Sequence, residues 1–327
     1  MTLKKFSTYD KQLEILKSRG LIINDYDKAK IILKNENYYN IINGYKDLFL
    51  IPIDTTVTTD SKVTKNTKIN TITSERYING VTFDELYALY KFDRELRNIF
   101  FKKILILENK IKSLIAYNFS EKYGHDDYLK IDNFESLKKV EIIKLIANIH
   151  SDIARQLNKD KSLTHYLEEH GFIPLWVLIK IFTFGRVSIF YGLMKESDRR
   201  NVATMLTDQY VILEKDLSSY MKIISIFRNL CAHEERMYDF KCLNQNKRPI
   251  KVPKSIIHNH LKIDNKNGFF DLLISLKLLI SQEEFSILYN KLKDVLNNLD
   301  SEISSIPLKK ILDNMLFPDN WTEIEKY

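Results

Sequence analysis

The chain has 327 residues and a mass of 38.7 kDa, with 44% hydrophobic and 28% charged residues but only 8 Gly and 6 Pro; it is long enough to bury a real core, and so few breakers exclude an all-β sandwich of many short strands. A net charge of +7 and a pI near 9.0 permit a polyanionic partner such as RNA, but the excess is lysine in a chain also rich in Asn and Ile and does not by itself identify one. Two cysteines, Cys231 and Cys242, exclude a disulfide framework.

The start, MTLKKFSTYDKQLEIL, lacks the apolar core of a signal peptide, and a cytoplasmic location is expected. Between residues 9 and 33 the 3-and-4 spacing of Leu13 and Leu16, then of Ala29, Ile32 and Leu33, predicts a helical hairpin around Gly20. Aromatics at 38, 39, 45 and 49 follow, and their expected role is to cover that hairpin rather than to stack on bases. Residues 51 to 82 are dense in Thr, Asn and Lys without a helical period, as in a linker or a hairpin insertion. Thr82 with Glu85 three residues later is a capping-box pattern, and a long helix is predicted from there to Gly124, with room for one break.

Further helical patterns occupy 134–158, 162–170, 173–194 and 211–239, then 268–282, 283–299 and 306–315. The most apolar stretch, 172–194, is interrupted by Lys180 and Arg186, so it reads as one buried helix and not as a membrane span. Gly185 within it is expected to permit close helix packing. The expected fold class is mainly α: an N-terminal helical unit over 1–50, a linker or hairpin insertion over 51–82, and a helical bundle over 83–327.

Residues 226–236, IFRNLCAHEER, carry the most informative polar pattern. At about 100° per residue, with Arg228 at zero, Ala232 falls at about 40°, Arg236 at about 80°, Asn229 at about 100° and His233 at about 140°. Ile223, Phe227, Leu230 and Cys231 take the opposite arc, so one face is core and the other offers two guanidiniums, an amide and an imidazole. Such a face suits a phosphate anion, for which Arg is the preferred planar, bidentate holder. RNA brings its own nucleophile, the 2′-OH, so its cleavage needs proton transfer, for which imidazole is suited, and cations to stabilise the charge developing on phosphorus; no metal or cofactor is required. One such helix supplies a single histidine, and a second copy of the chain would complete an acid–base pair.

Other clusters have ordinary readings beside functional ones. Glu108 pairs by spacing with Lys112, or projects inward to orient Arg228 or His233. Asp93, Arg94 and Arg97 suit structural salt bridges better than RNA contacts. Cys231, His233, Cys242, His258 and His260 match no standard zinc spacing, and the 241–254 segment, with Lys241, Lys247, Arg248 and Lys251, is a solvated loop or an RNA-guiding element.

The string RNLCAH, residues 228–233, resembles the R-x(4)-H motif of HEPN ribonucleases. The chain as a whole resembles the Abi-like family of bacterial abortive-infection proteins, of the AbiD and AbiF type. That resemblance is carried in order by YDKQLEILKSRGLII, NYYNIINGYKDLF, LYKFDRELRNIF, ILENKIKS, PLWVLIKIFTFGRVS, RNLCAHEERMYDF and FPDNW, over roughly residues 5 to 320. It implies a HEPN helical bundle, a toxin-like role in phage defence, and metal-independent endoribonuclease activity at a homodimer interface, with a noncoding RNA as a regulatory partner. Arg228 and His233 then match the motif's catalytic pair and Asn229 the polar residue after the arginine, while Arg236 has no place in the motif and is expected to contact phosphate from the projection alone. The alternative expectation is a module that binds RNA without cutting it.

Overall fold

The computed structural model describes residues 6–52, 75–244, 246–250, 252–264 and 267–327. Helices dominate, and among the described residues no strand forms. In chain order the helices are α1 (Tyr9–Ser18), α2 (Tyr26–Glu36), α3 (Phe83–Tyr123), α4 (Lys139–Gln156), α5 (Lys161–His170), α6 (Leu175–Leu178), α7 (Phe184–Leu193), α8 (Glu196–Leu206), α9 (Glu214–Ala232), α10 (Ile256–Leu261), α11 (Phe269–Leu279), α12 (Gln282–Glu302) and α13 (Leu308–Asn314). None of them is long and apolar enough to cross a membrane. The chain divides into two compact units, one of residues up to Glu95 with Lys293–Asn314, the other of Leu96–Leu292 with Met315–Tyr327.

In the first unit α1 and α2 form the expected hairpin, turning at Gly20, whose φ of 93° is costly for any residue with a Cβ. Thr8 and Asp25 cap the two helices by accepting the N–H of Lys11 and of Lys28. Leu13, Leu16, Ala29 and Leu33 are buried, as are Tyr45 and Phe49, whereas Tyr39 stays exposed. Leu50 and Tyr77 pair antiparallel and Ile51 N–H donates to the Arg76 carbonyl at 2.9 Å, while residues 53–74, most of the expected linker or hairpin insertion, lie outside the described residues.

The capping box forms as the spacing predicts: Glu85 N–H donates to Thr82 Oγ1 at 3.2 Å, and Thr82 N–H to Glu85 Oε2 at 2.9 Å. Glu85 Oε1 also accepts the N–H groups of Ser304 and Ser305, both at 2.7 Å. Tyr45 donates to Asp93 at 2.6 Å. Within the first unit these buried carboxylates tie the start of α3 to Tyr45 on one side and to residues 304–305 on the other.

The second unit takes α3 from Leu96 onward. Helix α3 runs 41 residues without the break the sequence left room for, ending before Gly124 at φ 98°. The expected single helix over 173–194 is corrected. Phe182 is extended, with ψ 134°, and Thr183 caps a fresh helix by accepting the Arg186 N–H, so α6, one 3₁₀ turn and α7 replace it. Gly185 sits where a Cβ would meet Ser225 Oγ at 3.5 Å, so α7 packs closely along α9. Phe119, Phe134 and Phe190 meet pairwise at 5.3 Å between ring centroids, and α11 is buried along its whole length.

Candidate functional site

Helix α9 is held on one side by Ile223, Ile224, Phe227, Leu230 and Cys231, all buried, and on the other it leaves Asn229, Ala232 and His233 exposed with Arg228 half-buried between the two faces. The two arcs predicted from the spacing are therefore present up to residue 233. The helix then stops, earlier than the expected 239. His233 is its C-cap, Glu234 turns left-handed at φ 55°, Glu234 N–H donates to the Cys231 carbonyl at 3.3 Å and Glu235 N–H to the Leu230 carbonyl at 2.9 Å. This is a Schellman ending with glutamate in the place glycine usually takes. Arg97 of α3, buried, donates from Nη1 to the Glu235 carbonyl at 3.2 Å and so holds the turn from the far side.

Arg236 consequently lies beyond the helix, and the projection that put it on the arc of Arg228 and His233 does not apply. Its guanidinium pairs with Asp239 at 2.9 Å.

One stripe of α3 serves the end of α9. Residues 97, 101, 108 and 112 recur at helical spacing, and they act in that order: Arg97 on the terminal carbonyl, Phe101 with its ring 5.9 Å from the Arg228 guanidinium carbon, Glu108 on Arg228, and Lys112 on Glu108. Glu108 is 4% exposed, and it accepts from Arg228 Nε at 3.3 Å through Oε2 and from Lys112 Nζ at 2.8 Å through Oε1. Glu108 thus pairs with Lys112 at the spacing of one turn, though buried rather than on a partly exposed face, and also contacts Arg228. One carboxylate shared by two cations leaves the cluster with a net positive charge.

The consequence for Arg228 is specific. Its Nε is tethered and its plane rests near the Phe101 ring, while its two terminal nitrogens find no acceptor among the described residues. The His233 imidazole and the Asn229 amide likewise make no side-chain hydrogen bond among the described residues. An anchored guanidinium fork, an amide and an imidazole on one exposed arc can hold a tetrahedral anion and exchange a proton with it.

Leu243 and Pro249 pair across a turn in which Lys247 takes φ 57°, and buried Cys242 and Ile250 anchor its two ends. Lys241, Lys247 and Arg248 are exposed around that turn, and Lys251 lies outside the described residues. Arg94 pairs with Glu36 at 2.9 Å. Cys231 packs its sulfur 3.4 Å from that of Met237, and burial pushes the Cys242 thiol up to about 12. Among the described residues no three His, Cys, Asp or Glu side chains converge as metal ligands would.

Ser255, His258 and Asp271 have the order of an acyl-transfer triad, but all three are buried. Ser255 N–H donates to His258 Nδ1 at 3.2 Å, and His258 Nε2 meets Asp271 Oδ1 at 3.0 Å, so the relay clamps α10 to α11. Phe101 is the support of Arg228 that the sequence left unassigned, whereas the pairing of Lys112 with Glu108 follows from their spacing. The signal for Phe101 is its helical register with Glu108, seven residues on.

A profile of the family described as Abi-like protein matches residues 31–239 of the chain, a span that includes α3 and the whole of α9. No curated protein and no solved structure matches it.

Proposed function

The chain belongs to the Abi-like protein family, whose membership points to abortive infection and phage defence, and from that premise we propose that it is a metal-independent HEPN endoribonuclease. The observation that carries the reading is Arg228: a guanidinium fixed through Nε by a buried carboxylate, with both terminal nitrogens available on the same exposed face as His233. A side chain meant only for solubility has no need of such a mount, and the fork geometry matches two phosphate oxygens.

In this mechanism the phosphate of the RNA backbone sits on the Arg228 fork, with the Asn229 amide beside it. The 2′-OH attacks the adjacent phosphorus and loses its proton to an imidazole. The bond from phosphorus to the 5′ oxygen breaks, and that oxygen takes a proton from a second imidazole. The products are a 2′,3′-cyclic phosphate and a 5′-OH. Since one chain supplies one exposed histidine on this arc, two copies of α9 meeting across a homodimer axis supply both proton-transfer groups. Lys241, Lys247 and Arg248, exposed on the turn that follows α9, extend the positive surface along which RNA lies, and a noncoding RNA held there restrains the activity until infection. The family and the Arg228 mount support this reading together.

The test is incubation of purified, nucleic-acid-free protein with single-stranded RNA in EDTA, followed by analysis of the product ends. Cleavage to 2′,3′-cyclic phosphate ends is the expected result. RNA that binds but stays intact with a dimeric protein replaces this reading with that of an RNA-binding module in a defence complex.

A further inference from the structure

Beside the Arg228 mount, α3 and the short helix α6 enclose an open groove of about 790 Å³. Its floor is apolar, with Ala116 and Ile179 buried, and its sides carry two aromatic rings that are unusually free. Trp176 is 50% exposed and makes no ring contact or hydrogen bond among the described residues. Tyr117 is 55% exposed, and its hydroxyl donates to Glu121 at 2.9 Å, which holds the ring upright on α3. A half-exposed indole without a partner forfeits the packing that large rings ordinarily obtain. The groove also carries two lysines: Lys180, exposed and without an ion-pair partner among the described residues, and Lys112.

Lys112 makes the groove continuous with the candidate site. The same Glu108 carboxylate accepts from Lys112 and from Arg228, so the groove begins where the phosphate mount ends. Tyr117 stands nine positions further along α3, about 14 Å of helix rise from Glu108. A strand whose phosphate lies on Arg228 brings its neighbouring bases over these rings.

We infer that this groove, lined by Tyr117, Trp176, Lys112 and Lys180, is a base-stacking subsite for single-stranded RNA, flanking the phosphate held at Arg228 and His233. The inference deepens the ribonuclease reading and rests on it. Rings with open faces beside cations are what sequence-tolerant binding of single strands uses, because every base has a face to stack and every step a phosphate to neutralise. The Ser113 hydroxyl on the same wall can meet a base edge. A second copy of the chain is the poorer occupant: the groove is a concavity between two short stretches, whereas a stable protein interface engages about 20–30 residues a side.

The experiment uses the full chain carrying His233→Ala, so that RNA survives, and measures the binding of a fluorescein-labelled 12-nucleotide oligoadenylate by anisotropy in EDTA. Trp176→Ala and Tyr117→Ala are each expected to weaken binding about tenfold, Trp176→Phe to restore most of it, and Lys180→Ala to lower the slope of log affinity against log salt by about one. Affinity unchanged in both alanine variants, or no binding by the parent protein, overturns the subsite. A parent dimer that Trp176→Ala dissociates, with RNA affinity unchanged, assigns the groove to a second copy instead. Ring-dependent binding by a protein whose His233 form never cleaves RNA overturns the ribonuclease reading and leaves the groove standing; cleavage with ring-independent binding overturns the groove alone.

Discussion

Glu108→Gln is the substitution that most sharply probes how the site is built. The carboxylate is 4% exposed and compensates two cations, Lys112 at 2.8 Å with an 11% exposed side chain and Arg228 at 3.3 Å with a 26% exposed one. The amide fills the same space but removes the negative charge, so a nearly buried ammonium and a partly buried guanidinium face each other without a counter-charge. Breaking a fully buried pair costs about 3–5 kcal/mol. Arg228 is screened by water and contributes at the low end, so the expected loss is about 2–3 kcal/mol, almost all of it from Lys112. Adding Lys112→Met to Glu108→Gln removes the stranded ammonium and should return at least about 1 kcal/mol, a non-additivity that a double-mutant cycle isolates. Guanidinium unfolding of the wild type, both single variants and the double variant measures it. The loosened Arg228 should also slow RNA cleavage by about 10–100-fold, since misplacement of about an ångström is enough for that. A single-variant loss below about 0.5 kcal/mol, or no recovery in the double variant, refutes the claim that Glu108 is the shared anchor.

Burial opposes the charge of Glu85, but the N–H donors of Thr82, Ser304 and Ser305 outweigh it and hold the carboxyl below its usual range. The stability it provides is therefore present above the ordinary carboxylate pKa and lost as pH falls through the depressed folded value; Glu85→Gln should cost about 2 kcal/mol at pH 7, with the gap closing in acid, as thermal unfolding across pH would read. Glu234→Gly should raise stability by about 0.5–1 kcal/mol, because it relieves a left-handed backbone at φ 55° without touching the His233 side chain, and a lower melting temperature would contradict this. Lys277 is fully buried in α11, where burial pushes its ammonium below the usual value despite a 2.7 Å bond to Gln282 and the Phe285 ring. Lys277→Met should be up to about 1 kcal/mol more stable at neutral pH, and the difference should narrow as pH rises through the folded pKa of Lys277, where the unfolded chain still holds a proton that the folded one has released.

Local patterns made much of this fold legible. The Thr82–Glu85 capping box, the hairpin at Gly20 and the buried and exposed arcs of α9 all follow from residues within a few positions of one another, and they form as their spacing predicts. Where the sequence misled, a backbone decision outweighed periodicity. Nothing in the apolar run 172–194 announces that Thr183 starts a new helix, because a threonine side chain can cap or simply be carried along. The end of α9 escapes the pattern for a related reason: Glu234 takes a conformation that a glycine would advertise, so the helical period runs on to residue 239. The partners of Glu108 show a different limit. Lys112 is one turn away and readable, whereas Arg228 lies 120 residues along the chain and is brought to Glu108 only by packing.

The central claim is that His233 transfers protons in RNA cleavage that Arg228 directs. It is tested most directly by comparing the cleavage rate of one labelled single-stranded RNA by the wild type and by His233→Ala in EDTA, with matched thermal unfolding of the two proteins. The exposed imidazole makes no hydrogen bond among the described residues, so its removal should leave the melting temperature unchanged. The rate should fall by about 100-fold or more while RNA is still bound. Equal rates in the two proteins would contradict the account.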